Sequence, residues 1–262
     1  MNESVINISN SQLMLTYVFA LLAMIITSVN GINRNKDIIV GTLRMTVQLF
    51  VAGFILVYIF DSSSFMLPAL MVLVMEFFSI FNIITNKKGK LNRGIKKTLI
   101  LAQVIGTVFT LAFFLIIVVR PDPIYNPQYL VPLGGMIIGN SMTGINLALN
   151  QMLSSIKDSR SSIEGSLMLG ASPRKAMDNV IQNAFDTAIT PTLNSIKNMG
   201  IISLPGMMTG QILGGVSPLI AIRYQIAIMT AIMSSVAICV FIFLNLGYKN
   251  FFNDQKQLIK AQ

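Results

Sequence analysis

Thr98–Val119 reads T-L-I-L-A-Q-V-I-G-T-V-F-T-L-A-F-F-L-I-I-V-V and contains no charged side chain. A helix rises about 1.5 Å per residue, so roughly 20 mostly apolar residues cross the ~30 Å hydrocarbon core of a bilayer. The stretch is a transmembrane helix on that arithmetic. Working outward, the same reading covers Leu13–Asn30, Ile38–Phe60, Phe65–Thr85, Tyr129–Leu149 and Tyr224–Leu246. Ala184–Leu204 is a weaker candidate, interrupted by Lys197 with Asn194 and Asn198 beside it, and reads as partly water-facing. The expected fold is all-α: a polytopic transmembrane bundle of about seven spans, treated as one domain over the whole chain.

Composition agrees. The chain is 53% hydrophobic and 11% charged, with a mean hydropathy of +0.70. Soluble domains carry about 25% charged residues, so a soluble enzyme is excluded. Cys239 is the single cysteine and lies in an apolar run, and histidine is absent. A disulfide framework is ruled out, and the commonest metal ligand and general base is missing. The net charge of +9 is carried by short clusters between apolar runs. That is the pattern of membrane flanks, not of a nucleic-acid surface.

Counting Lys and Arg gives the expected orientation. Arg34 and Lys36 follow the first run, six basic residues (Lys87, Lys88, Lys90, Arg93, Lys96, Lys97) follow the third, and Lys157, Arg160, Arg174 and Lys175 follow the fifth. Asp61–Ser64 has none, and the Pro-rich connection Arg120–Gln128 has only Arg120. Seven spans then place the amino terminus outside and the carboxyl terminus, with Lys249, Lys256 and Lys260, in the cytoplasm. Met1–Gln12 has no basic residue, so the first run is expected to be a retained span rather than a cleaved signal. Tyr125 and Tyr129 suit interfacial anchors.

The stretch of about 150–182 is too polar to span. Ser161 and Ser162 are candidate caps before Glu164. Gly170-Ala171-Ser172-Pro173 should break the chain, with Ser172 as N-cap and Pro173 as first residue of a restarted helix. Two short helices at an angle are expected on the cytoplasmic side.

Glu164-Gly165-Ser166-Leu167-Met168-Leu169-Gly170-Ala171 resembles the EAA loop of ABC-transporter permeases, with Glu164 and Gly170 in the matching positions and Ala171 beside them. Gln182-Asn183 stands where that pattern has Leu-Pro. Pro132–Asn140, Pro205–Gly215 and Arg223-Tyr224-Gln225 widen the resemblance to the FetB family of permeases, assigned to ATP-driven iron export and related to plant proteins implicated in aluminium tolerance. The resemblance implies a plasma-membrane permease that exports iron or a related metal. It also implies an ABC ATP-binding subunit docked at Glu164, Gly170, Ala171 and Arg174, and a homodimer of the permease. The chain has no G-x-x-x-x-G-K-[ST] phosphate cradle. ATP and Mg²⁺ are therefore expected in the partner, with no cofactor on this chain.

Charges inside spans are functional candidates by default. Glu76, within the third run, either binds a cation or pairs with Arg44, which can also snorkel to the surface. Pro205–Gly215 is too short to span and fits a hairpin or broken helix. Met207 and Met208 offer thioethers, which suit copper(I) better than iron, or simply fill gaps. Gln211 needs a partner for its amide. Gly134, Gly135, Gly139 and Gly144 read as close-packing positions. A secondary transporter coupled through Glu76 is the rival reading, and an intramembrane enzyme or scaffold a third.

Overall fold

The computed structural model describes residues 8–61, 64–85, 91–253 and 255–259. Lys87, Lys88, Lys90 and Lys260, used above to assign sides, lie outside them. The described chain is helical, with only two isolated bridges, Met199–Ser203 and Phe252–Leu258. Contacts divide it into two units. The first contains α1 and α2 with Leu213–Gly215, and the second contains the rest.

In the first unit, α1 (Asn10–Val29) starts at a capping box: Ser9 Oγ accepts from Gln12 N, and Gln12 Oε1 accepts from Ser9 N. Gly31, at φ +68°, turns the chain into α2 (Asn35–Phe60). The Tyr17 and Thr46 hydroxyls join the two helices at 2.7 Å. No residue of α1 is buried, and only Ile59 of α2 is.

The second unit holds the core. It comprises α3 (Met66–Thr85), α4 (Arg93–Phe113), α5 (Pro127–Asp158), α6 (Arg160–Met168), α7 (Pro173–Ala176), α8 (Asp178–Asn198), α9 (Gly206–Leu213) and α10 (Pro218–Gly247). Asn92 caps α4 by accepting from Gly94 N, which starts this helix before the apolar run begins. A π-helical turn, Phe114–Val119, ends it at Arg120, whose φ is +51°. Asn126 caps α5 through Gln128 N, with Pro127 at the first position.

α5 is the hub of this unit, packed by α3, α4, α8 and α10. Ile137, Ile145, Ala148, Leu149 and Met152 are fully buried along it. Small residues let these helices approach. A Cβ at Gly144 would stand 2.7 Å from Val236 Cγ1, and one at Gly106 would run into Cys239. Gly134 and Gly135 meet Val72 and Met75 at ordinary contact distance, whereas Gly139 faces open space. Gly139 is therefore not a packing position in this unit.

Among the described residues, five helices are long and apolar enough to cross a membrane: α1, α2, α3, α4 with its π turn, and α10. The other two expected spans fall in α5 and α8, which have the length but not the hydropathy. The reason in α5 is its position: a helix wrapped by protein does not need an apolar outer face. α8 ends at Asn198, and its Lys197, Asn194 and Asn198 are exposed. Pro205–Gly215 forms the short helix α9, closed by a turn at Gly215 with φ +90°.

Candidate functional site

The apolar runs of α3 and α4 carry polar side chains that turn inward. Glu76 on α3 is 8% exposed, and Gln103 on α4 is fully buried. Thr107 Oγ1 lies 3.1 Å from Glu76 Oε1 and 2.7 Å from the Gln103 carbonyl, and its one proton serves only one of them at a time. Gln103 Nε2 donates to Ser79 Oγ at 3.1 Å and to the Ile138 carbonyl of α5 at 3.3 Å. Ser141 and Ser235 share a 2.7 Å hydrogen bond that ties α5 to α10.

This cluster is incompletely satisfied. Glu76 Oε2, Gln103 Oε1 and Thr110 Oγ1 are buried with no hydrogen-bond partner among the described residues. Each such atom costs about 1–3 kcal/mol, more for a carboxylate, so the cluster is expensive unless something occupies it. Its donors are hard oxygens with a single carboxylate. No group of three His, Cys, Asp or Glu that could hold a metal ion occurs among the described residues. The arrangement suits weak, passing contact with a cation rather than a resident metal.

Arg44 belongs to α2 in the first unit, where it is exposed. Glu76 takes its hydrogen bond from Thr107 within the second unit. Met207 packs against the core, Met208 is buried at 8% exposure, and Gln211 Oε1 is buried with no hydrogen-bond partner among the described residues. Gln225 on α10 resembles it: its Nε2 reaches Met199 Sδ at 3.7 Å, and its Oε1 has no partner among the described residues.

The second constellation lies where α5 runs out of the core. α6 starts at Arg160 after Ser159, which makes no side-chain cap, so the caps expected at Ser161 and Ser162 are not used. Glu164 therefore sits beyond the first turn and takes Arg160 as its partner at 2.8 Å. Both side chains are more than a third exposed, so the pair is worth about 0.5 kcal/mol at most. Ile163 anchors the other face in the core.

Gly170 closes α6 in a Schellman turn. Its φ is +89°, Ala171 N donates to Ser166 O, and Gly170 N donates to Leu167 O. Ser172 then accepts from Lys175 N, with Pro173 at the first position of α7. The helix expected to restart at Pro173 is interrupted at Met177, and α8 starts at Asp178. Arg174 lies over the Tyr248 ring at 5.6 Å. The turn holds two apolar side chains in the open, Met168 at 86% and Leu169 at 90% exposure.

Sequence reasoning named Glu76 but missed Ser79, Gln103 and Thr107, and met Gln225 only within the family resemblance. Gln103, Thr107 and Thr110 recur at i, i+4 and i+7 within the run quoted first, a polar stripe at helical spacing that was there to be read.

The model of the UPF0014 family, described as an uncharacterised protein family, matches residues 10–252. Among curated proteins, the chain is 32% identical to the "Probable iron export permease protein FetB" of Escherichia coli (strain K12), over 98% of this chain and 97% of that protein. It is 34% identical to the "UPF0014 membrane protein YjkA" of Bacillus subtilis (strain 168), over 94% and 96%. It is 32% identical to the "Protein ALUMINUM SENSITIVE 3" of Arabidopsis thaliana, over 92% and 86%. No solved structure matches the chain.

Proposed function

Because the chain belongs to the UPF0014 family of multi-pass membrane proteins, we propose that it is the permease subunit of an ATP-driven exporter of iron or a related metal ion. The observation that carries this reading is the tip after α6: a Schellman turn holding Met168 and Leu169 out at 86% and 90% exposure. Such an apolar knob, fixed at the end of α6, which follows the hub helix α5, suits docking into a second protein. The FetB name of a full-length relative supports the cargo.

Force and cargo meet on α5. Its Ile138 carbonyl belongs to the buried polar cluster. From there the helix runs without interruption to Asp158, about 30 Å at 1.5 Å per residue. When the tip moves, α6 passes the motion to the end of α5, and a rigid α5 moves the wall of the cluster. The separate ABC ATP-binding subunit supplies ATP and Mg²⁺ on the cytoplasmic face, in a plasma membrane with the permease amino terminus outside. Two permeases pair with two such subunits.

Iron content under iron load tests the reading. Cells with the protein should hold less iron than cells without it, and Glu164→Ala or Gly170→Val should erase the difference while expression is kept. Equal iron in all strains would remove the assignment. The orphaned Glu76 Oε2 favours one rival, a secondary transporter with Glu76 as coupling group. That rival predicts efflux without any ATP-binding subunit.

A further inference from the structure

The carboxyl-terminal segment after α10 does not trail away. Tyr248–Phe251 forms a 3-10 turn, and Phe252 bridges to Leu258. Asn253 N donates to Gln257 O at 3.0 Å, and Gln257 N donates to Asn253 Oδ1 at 2.8 Å, which closes a hairpin. Phe251 and Leu258 are buried, each at 7% exposure.

This hairpin grips the coupling region at two points. Arg160 Nη2, on α6, donates to the Leu258 carbonyl at 3.4 Å. Arg174, on α7, covers the Tyr248 ring. At its base, Asn250 bonds Thr98 of α4 at 3.3 Å and fills the space beside Gly94, where a Cβ would collide with it. The segment thus links α4, α10, α6 and α7.

Between hairpin and tip lies a groove of about 760 Å³. Glu164, Met168 and Ala171 form one wall, and Gln255, Lys256 and Gln257 the other. Glu164 is paired with Arg160, while Lys256 is exposed. The groove therefore presents a mixed surface, with Leu167, Met168 and Leu258 beside Gln255, Gln257 and the Lys256 cation, and it fits a partner that offers an apolar ridge with an acidic flank.

We propose that tip and hairpin form one bipartite docking surface, with the ATP-binding subunit as its occupant and the hairpin as its second wall. The proposal rests on the ATP-driven reading above. It adds that α10, through the hairpin, feels the partner as directly as α5 does. A flat lipid surface would touch the exposed tip but cannot fill a groove between two walls.

The test uses the full-length chain in nanodiscs with the ATP-binding subunit that co-purifies with it. Gln255→Glu with Lys256→Glu should weaken binding about 10-fold, with the melting temperature unchanged. A photo-crosslinking side chain placed at Gln255 should yield an adduct with that subunit, an arm that survives if the double variant folds poorly. Leu169→Asp should weaken binding as well. Normal binding by the hairpin variant, or adducts to lipid alone, overturns the bipartite surface and leaves the permease reading intact if Leu169→Asp still weakens binding. Loss of binding to phosphatidylserine vesicles, with the subunit still held, would make the hairpin a membrane contact and overturn the proposal. If no ATP-binding subunit co-purifies with the wild-type chain, or Leu169→Asp changes nothing, the permease reading falls too.

Discussion

The amino-terminal pair α1 and α2 and the bundle around α5 are built from similar material and used in opposite ways. α1 has no buried residue and α2 has one, and the groove between them is lined by uncharged side chains such as Tyr17, Met45, Phe50 and Phe54. Side chains this apolar and this open belong against lipid. α5 is more polar than either, yet thirteen of its residues are buried. Hydropathy therefore reports contact with lipid rather than importance. The helix that carries the proposed mechanism is one that hydropathy ranks low.

That contrast can be broken most sharply with glycines. Gly106→Val, against the Cys239 backbone N at 3.1 Å, should destabilise the protein by about 3 kcal/mol and lower its melting temperature in detergent. Gly53→Val in α2, where nothing lies within 4 Å of an added Cβ, should stay within about 0.5 kcal/mol. Equal effects at the two positions would dissolve the distinction between the units.

Function should divide along the same line. Glu76→Gln keeps the shape of a buried group and removes its charge. Transport should fall by about 10-fold or more while the melting temperature holds or rises, since the uncompensated carboxylate is costly. Leu169→Asp should abolish coupling and leave the melting temperature alone, because the side chain is 90% exposed. Arg174→Ala should cost about 0.5–1 kcal/mol by calorimetry, through its contact with Tyr248. Thr46→Val removes the bond to Tyr17 and should shift stability by about 1 kcal/mol or less.

Much of this was legible in the sequence. The apolar runs located the five helices that, among the described residues, can cross a membrane, and Gly170-Ala171-Ser172-Pro173 announced the break between α6 and α7 with the cap at Ser172. The rest was hidden for a physical reason. A helix wrapped by protein has no lipid face to advertise, so α5 continued past Leu149 to Asp158 without a signal; α8 began at Asp178, in a polar stretch ahead of its apolar run. The polar stripe of Gln103 and Thr107 was diluted by the apolar residues around it. Serine can cap a helix at many places, so Ser161 and Ser162 looked suitable, although α6 begins after Ser159 without a side-chain cap. Nothing in Tyr248–Leu258 alone indicates that it folds back onto Arg160 and Arg174, contacts made across 98 residues in the case of Arg160 and Leu258.

The central claim is that this chain moves a metal ion on energy received at the Met168–Leu169 tip. The direct measurement is iron(II) flux in proteoliposomes that contain the full chain and its ATP-binding subunit. Flux should require ATP and the subunit together, and it should vanish with Leu169→Asp. Iron movement driven by an ion gradient alone, with the subunit left out, would contradict the account.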